Sequence, residues 1–234
     1  MGLIENKFLY SLVLILSLSF PLIRSFEQKL KFASNIKAIL ISCFFMMMIF
    51  IPWDILFTKI NVWSFNSEYI TGFKIFLLPI EEWMFFIIIP FSCVFIYESV
   101  KYFFTLDRYN TISRNILMGL GVVLIITSLL NIDRSYTFWN FLFCGLFLIY
   151  STMKKRGYHA NFLISYFFHL IPFLIVNGIL TDGNFDFNFS TDPVVWYNND
   201  ENLFIRFITI PIEDFFYSML LLLMNVTFYE KFKS

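Results

Sequence analysis

The segment LPIEEWMFFIIIP (residues 78–90) places two adjacent carboxylates, Glu81 and Glu82, inside an apolar run that extends from Ile75 to Tyr97. Such a run is long enough to cross a bilayer, which needs ~20 residues. A charged side chain near the centre of a spanning helix costs at least ~2.5 kcal/mol on insertion scales. We therefore expect the acidic pair to have a functional role.

The same pattern occurs a second time, 132 positions later, in IPIEDFFY (residues 210–217), where the acidic pair is Glu213 and Asp214. Upstream of each pair, VW at 62–63 matches VW at 195–196, and Asn66 matches Asn199, at a spacing of 133. The change of spacing predicts a one-residue deletion between these matches. The sequence thus predicts an internal repeat with one acidic pair in each half.

The composition indicates an integral membrane protein. Hydrophobic residues make up 59% of the 234 residues and charged residues 15%, whereas soluble domains have ~45–50% and ~25%. Lysine plus arginine balance aspartate plus glutamate, so net charge gives no indication of nucleic-acid binding. The three cysteines lie in apolar runs and lack the spacing of a metal site or a disulfide framework.

The hydrophobic pattern predicts an all-α, polytopic membrane protein with about seven transmembrane helices. Their expected ranges are 6–24, 36–57, 75–98, 115–132, 136–153, 160–180 and 204–229. The loops after helices 1, 3 and 5, together with the C-terminus, contain twelve lysines and arginines, and the other side contains five. Because positive charge stays in the cytoplasm, we predict the N-terminus outside and the C-terminus inside.

Two parallel three-helix repeats joined by a linking helix are expected, because helices 1–3 correspond to helices 5–7. The predicted division is 1–108 for the first repeat, 109–134 for the linking helix and 135–234 for the second repeat. Halves related in this way pack about an axis along the membrane normal, with a site between them.

Five carboxylates are predicted at similar depth on the outer side, because Asp54 ends helix 2 on the side where helices 3 and 7 begin. Pro79 and Pro211 are expected within the outer parts of their helices, where a proline loosens the backbone hydrogen bonds. Adjacent helical residues point ~100° apart. One carboxylate of each pair is therefore expected to face the cleft between the halves, and the other a neighbouring helix.

Carboxyl groups packed in a low-dielectric site cannot all ionise, so some remain protonated near neutral pH. A protonated acid can donate a proton to a carbon–carbon double bond, and an ionised neighbour can accept one. Aromatic ring faces stabilise the resulting cation, and exclusion of water protects it. The simpler alternative is structural, with the acids paired to Arg206, Lys74 or backbone groups.

Aromatic residues, 22% of the chain, include a group near the outer side: Trp53, Trp63, Tyr69, Trp196 and Tyr197. Two interpretations remain open for this group. Tryptophan and tyrosine are enriched at membrane interfaces, so the group can form an interfacial belt. Alternatively, it covers the acidic site.

Several of these motifs together resemble the lycopene cyclase domain family. They are Pro52-Trp53-Asp54, Val62-Trp63-Ser64-Phe65, Leu78-Pro79-Ile80-Glu81-Glu82, the Asn177-Gly178 step, PVVWYN at 193–198 and Pro211-Ile212-Glu213-Asp214. The family comprises heterodimeric actinobacterial cyclases, fused single-chain bacterial forms and the cyclase half of fungal bifunctional enzymes. This chain resembles a fused form.

The resemblance implies redox-neutral cyclisation of the linear ends of lycopene, which gives β-ionone rings and so γ- and β-carotene. It implies no flavin or nicotinamide cofactor, and no Gly-x-Gly-x-x-Gly motif occurs in the sequence. The implied catalytic residues are Glu81, Glu82, Glu213 and Asp214. The supporting or substrate-binding residues are expected to be Asp54, Trp53, Trp63, Asn177, Trp196 and Tyr217.

The partners expected from the resemblance are lycopene or a related carotenoid, the lipid bilayer and, physiologically, other enzymes of carotenoid biosynthesis. The expected location is the bacterial cytoplasmic membrane.

Other membrane classes fit the sequence less well. A transporter or proton pathway also uses membrane carboxylates in repeated halves, but matched Gly-interrupted helices and a basic residue at the site are missing. A retinal photoreceptor needs a lysine within helix 7, and none occurs between Phe204 and Tyr229. A polyprenyl transferase needs Asp-rich magnesium diphosphate sites, which are not found.

Overall fold

The computed structural model describes residues 6–27, 29–154, 157–182 and 192–233, and within these ranges the chain is an all-α bundle. It contains seven α-helices: α1 Leu9–Arg24, α2 Ile36–Lys59, α3 Ile80–Phe103, α4 Asn110–Leu129, α5 Ser135–Met153, α6 His159–Asp182 and α7 Ile212–Phe232. The predicted all-α membrane fold is confirmed.

Five helices of the described residues, α2 to α6, are long and apolar enough to cross a membrane. Helix α1 is apolar but has only 16 residues. Helix α7 begins with the acidic pair and is otherwise mostly buried, with every residue from Met219 to Thr227 inside the bundle. Its charged residues Glu213, Asp214, Glu230 and Lys231 lower the hydropathy of α7, and α7 therefore falls outside this group.

Six short strands lie at the end of the bundle where α3 and α7 begin, which we call the acidic end. They are β1 Trp63–Phe65, β2 Lys74–Ile75, β3 Leu78–Pro79, β4 Val195–Tyr197, β5 Arg206–Phe207 and β6 Ile210–Pro211. Strands β2 and β3 form one antiparallel hairpin, and β5 and β6 form its counterpart. Each hairpin leads directly into a helix that carries an acidic pair.

These hairpins correct the predicted starts of two helices. Helix α3 begins at Ile80 rather than at 75, and α7 begins at Ile212 rather than at 204. Pro79 and Pro211 are extended N-cap residues, so the prediction that they lie within helices is wrong. The physical reason is that proline lacks the amide hydrogen that a helix interior needs and disfavours helical geometry in the residue before it.

The first turn of a helix is a favourable place for a carboxylate. Its amide groups lack partners within the helix, and the helix dipole stabilises negative charge there. The two acidic pairs therefore lie where the backbone itself supports anions, rather than in the middle of an apolar helix.

The repeat is visible in paired backbone contacts at a spacing of 132. Strands β1 and β4 pair antiparallel, with Ser64 opposite Trp196. Asn66 N donates to Val194 O, and Asn198 N donates to Val62 O, both at 2.9 Å. The structural partner of Asn66 is thus Asn198, so the predicted spacing of 133 and its one-residue deletion are wrong.

Reciprocal ion pairs join the two halves at the other end of the bundle. Lys101 Nζ lies 2.6 Å from Glu230 Oε1, and Lys233 Nζ lies 2.7 Å from Glu98 Oε2. Each lysine of one half therefore holds a glutamate of the other, which fixes α3 and α7 against each other at this end.

Helices α4 and α5 approach most closely at two glycines. A Cβ added to Gly145 would lie 2.7 Å from the Gly121 carbonyl oxygen and 2.7 Å from Ile125 Cγ1. The backbone of α4 thus lies close to the backbone of α5 at these glycines.

We expect Gly145→Ala to destabilise the protein, because overpacking typically costs ~1–3 kcal/mol. Thermal unfolding in detergent micelles measures the effect as a lower melting temperature. Gly119→Ala on α4 is the matched control, since a Cβ there meets nothing within 4 Å. Equal melting temperatures for the two variants would contradict the close approach.

Candidate active site

An apolar cavity of about 940 Å³ runs through the bundle, lined mainly by α1, α3 and α6. On α3 its lining extends from Glu82 to Phe103, which corresponds to ~32 Å at the helical rise of 1.5 Å per residue. The cavity therefore spans about the thickness of a bilayer's hydrocarbon core.

The two ends of the cavity differ in exposure. At the acidic end its lining residues Tyr10, Asp54 and Asp214 are buried. Further along, Leu16, Phe20, Phe103 and Ile171 line it while being 62–71% exposed on the surface of the bundle. The cavity is thus closed at the acidic end and open towards lipid elsewhere.

One carboxylate of each repeated pair lines the cavity, as the helical rotation predicts. These are Glu82 from the first half and Asp214 from the second, joined by Asp54 from the end of α2. Three carboxyl groups from both halves therefore share one chamber.

The other two predicted carboxylates, Glu81 and Glu213, are buried beside the chamber and hold loops. Glu81 Oε1 accepts from Thr71 N at 2.8 Å and from Ser11 Oγ at 3.3 Å. Glu213 Oε1 accepts from Leu203 N at 2.8 Å and from Thr137 Oγ1, in the first turn of α5, at 2.6 Å. Through these matched contacts, Glu81 connects the segment before the first hairpin to α1, and Glu213 connects the segment before the second hairpin to α5.

Glu82 and Asp54 form the acidic group of the first half. Glu82 Oε2 accepts a hydrogen bond from the Tyr10 hydroxyl at 2.6 Å. Asp54 lies within electrostatic reach of Glu82, and its buried Oδ2 has no hydrogen-bond partner. Two carboxyl groups of the first half thus line the cavity together, and Tyr10 donates a hydrogen bond to one of them, Glu82.

Asp214 is surrounded by donors in the second half. Its Oδ1 accepts from the Tyr136 hydroxyl at 2.5 Å. Its Oδ2 accepts from the Tyr197 hydroxyl at 3.0 Å and from Asn177 Nδ2 at 3.2 Å. Burial, and then the charge of Asp214, raise the pKa of Tyr197 well above its usual value, so its hydroxyl stays protonated and able to donate.

Aromatic rings enclose the acidic end. The Trp63 ring lies 5.2 Å from that of Tyr136 and 6.1 Å from that of Tyr217, and all three line the cavity. Tyr217 also interacts electrostatically with Asp54 and Asp214. Ring faces placed this way can stabilise a cation formed between the carboxyl groups.

In the described part of the chain, large side chains fill the equivalent cleft, which lies between α5, α7 and α2. Asp54 and Asn177 both lie five residues before the end of a 24-residue helix, so Trp53 corresponds to Val176. Trp53 packs edge-on against Phe143, with ring centroids 5.3 Å apart. Phe143 corresponds to Ser17. In the open cleft, the smaller residues Val176 and Ser17 line the cavity instead.

The other predicted residues fall into two groups. Asp54, Trp63, Asn177 and Tyr217 line the cavity. Trp53 is buried behind it, and Trp196 is 49% exposed outside it. Members of the aromatic group therefore have different environments, since Trp63 lines the cavity and Trp196 lies on the surface.

Sequence reasoning missed Tyr10 and Tyr136, two of the tyrosines that donate hydrogen bonds to the cavity carboxylates. Tyr10-Ser11 and Tyr136-Thr137 begin α1 and α5 at a spacing of 126, which is a weak repeat signal that could have found them. In the cavity wall, His169 Nδ1 lies 3.1 Å from Cys93 Sγ. Within the described residues no group of three His, Cys, Asp or Glu is placed to bind a metal.

The fold and this chamber define an integral membrane protein with a lipid-accessible apolar cavity that ends in buried acids. The chain belongs to the lycopene cyclase family: the family model described as lycopene cyclase matches residues 7–100 and 133–232. The two matched segments flank α4. The chain is therefore a carotenoid cyclase with a hydrophobic carotenoid substrate. It matches no curated protein and no solved structure.

Proposed function

We propose that the protein converts the linear ends of lycopene into β-ionone rings by redox-neutral acid–base catalysis. The observation that carries the proposal is the convergence of Glu82, Asp54 and Asp214 on the closed end of one apolar cavity. A hydrocarbon end group in this place has buried proton donors and acceptors beside it, and little water.

The proposed reaction begins when a carboxylic acid O–H protonates the terminal double bond, which gives a tertiary cation. The neighbouring internal double bond attacks this cation, so a carbon–carbon bond closes the six-membered ring and moves the positive charge onto a ring carbon. A carboxylate then removes an adjacent ring proton and a ring double bond forms. One proton is added and one is lost, so the product is an isomer of the substrate.

The residues divide into two proposed roles. Glu82 and Asp214 contact the reacting end group, with Asp54 beside Glu82. Glu81 and Glu213 position the helix starts through their bonds to Thr71 and Leu203. We further propose the division into repeats 1–108 and 135–234 with a linking segment 109–134, because the matched contacts at the acidic end are reproduced between these segments.

The shape of the cavity suggests that the chain processes one substrate end at a time. Only the closed end is acidic, and the lipid-exposed stretch gives room for the rest of the polyene. The first ring must leave before the second end can enter, so the one-ring product is expected as a free intermediate in the membrane.

Isotope incorporation tests the acid–base step. Membranes containing the protein, incubated with lycopene in D2O, should form product that carries one deuterium per ring, because the added proton comes from an exchangeable carboxyl group. Mass spectrometry of the one-ring and two-ring products measures this.

The control is the same incubation in H2O, and ready-made cyclic carotene added in D2O should gain no deuterium. Cyclic product without deuterium would contradict protonation by an exchangeable acid, and absence of any cyclic product would contradict the proposed function itself.

A further inference from the structure

We infer that the two halves have divided the reaction between them, with the Asp54–Glu82 pair as the proton donor and Asp214 as the proton acceptor. This rests on the proposed function and extends it. The starting observation is a difference between equivalent positions, because Asp54 in α2 corresponds to Asn177 in α6. One half places a second carboxyl group beside its cavity acid, and the other half places an amide there.

The surroundings of Asp214 favour the ionised form. Its oxygens accept three hydrogen bonds, from two tyrosine hydroxyls and from the Asn177 amide. Hydrogen bonds donated to a carboxylate stabilise its charged state. The Arg206 guanidinium, 6.0 Å from the centre of the Tyr197 ring, adds positive charge behind this group. Asp214 thus has the features of a base.

The surroundings of Glu82 favour a retained proton. Its carboxyl group accepts a hydrogen bond from Tyr10, and the Oδ2 atom of its neighbour Asp54 is buried without a hydrogen-bond partner. Asp54 and Glu82 interact electrostatically in the wall of one apolar cavity. Because two negative charges repel each other in such a site, the pair favours retaining one proton. In addition, Lys74, the counterpart of Arg206, is exposed. The first half thus has the features of an acid.

The division predicts which part of the reaction each half controls. The O–H bond on the Asp54–Glu82 pair breaks as the new C–H bond forms, and an O–H bond forms on Asp214 as the ring C–H bond breaks. Between turnovers a proton returns to the first half. Tyr217 lines the cavity together with the three carboxyl groups and interacts electrostatically with Asp54, Glu82 and Asp214.

The choice of ring proton decides the position of the ring double bond. Asp214 and its donors Tyr136, Tyr197 and Asn177 should therefore control which ring isomer forms. The Asp54–Glu82 pair should control only whether a ring forms at all.

The experiment compares Asp54→Asn, Glu82→Gln and Asp214→Asn in membranes with lycopene in D2O. Chromatography gives the ring isomers, and mass spectrometry gives the deuterium content of recovered lycopene. For Asp54→Asn and Glu82→Gln we expect turnover to fall ~10²-fold or more, as for loss of a general acid. Any residual rings should keep the wild-type isomer, and recovered lycopene should carry no deuterium.

For Asp214→Asn we expect the cation still to form but to lose its proton differently. Either the residual rings contain a changed mixture of double-bond isomers, or recovered lycopene gains deuterium because the cation reverts. Rescue by Asp214→Glu should restore the original isomer. The amount of folded protein in each membrane, measured by detergent extraction and size-exclusion chromatography, normalises the rates.

Deuterium exchange or altered isomers in Asp54→Asn would overturn the assignment. The assignment would also be overturned if Asp214→Asn formed rings of the wild-type isomer while the recovered lycopene carried no deuterium. A folded Asp214→Asn protein that forms no rings and introduces no deuterium into lycopene would overturn it as well. Failure of the wild-type protein to cyclise lycopene would instead count against the proposed function, so the two failures are distinguishable.

Discussion

Lycopene will accumulate uncyclised in a lycopene-producing host that expresses Glu82→Gln. The amide has the same shape as the carboxylic acid and can still contact the Tyr10 hydroxyl, but it cannot donate a proton of comparable acidity. General acid–base groups typically contribute ~10²–10⁴-fold to rate. We therefore expect conversion to fall by at least ~10²-fold, measured by chromatography of the extracted pigments.

The comparison variant is Glu81→Gln, one residue away and outside the cavity. Its side chain accepts the Thr71 amide hydrogen, and weakening a hydrogen bond to a buried charged group costs ~1–3 kcal/mol. Its main effect should be a lower melting temperature rather than complete loss of rings. Glu68→Gln, on the exposed part of the loop between β1 and β2, serves as the neutral control. Full cyclisation by Glu82→Gln would remove the central acid from the proposed mechanism.

The parts of the fold that were predictable from sequence follow from local chemistry. Apolar runs without charges define helices such as α2 and α5, whose starts and ends agree with the predictions to within two residues. The repeated acidic pairs also identified the right end of the bundle, because carboxylates in a membrane segment require a special environment.

The parts that were not predictable depend on contacts between distant segments. The hairpin at Lys74–Pro79 is as apolar as the helix that follows it, so hydropathy could not separate the two. The Tyr10 donor of Glu82 lies 72 positions away in sequence. Only the packing of α1 beside α3 gives that tyrosine its role.

The asymmetry of the bundle was also hidden in the sequence. The internal repeat implies two equivalent clefts, yet only one contains a large cavity in the described part of the chain. The difference comes from a few exchanges of side-chain size at matched positions, such as Trp53 against Val176 and Phe143 against Ser17. A repeat thus predicts the framework, while side-chain volume decides where a substrate can enter.

The second large effect expected is loss of cyclisation in Val176→Trp. This change copies the Trp53 of the closed cleft into the open one, where Val176 lines the cavity directly before Asn177, which contacts Asp214. A tryptophan there occupies the space next to the acids, so the end group can no longer reach them. We expect conversion to fall by at least ~10-fold, as a misplacement of about 1 Å can already cost ~10²-fold.

Protein stability should respond differently from activity in this variant. The new ring enters an existing cavity and buries apolar surface, so it avoids most of the ~1–3 kcal/mol that overpacking of a filled core costs. Thermal unfolding in detergent should therefore remain close to wild type while the pigment profile returns to lycopene. Val122→Trp, at a 44% exposed position on α4, controls for adding a tryptophan to a membrane helix. Unimpaired cyclisation by a folded Val176→Trp protein would show that the substrate reaches the acids by another path, and the 940 Å³ chamber would lose its assignment as the binding site.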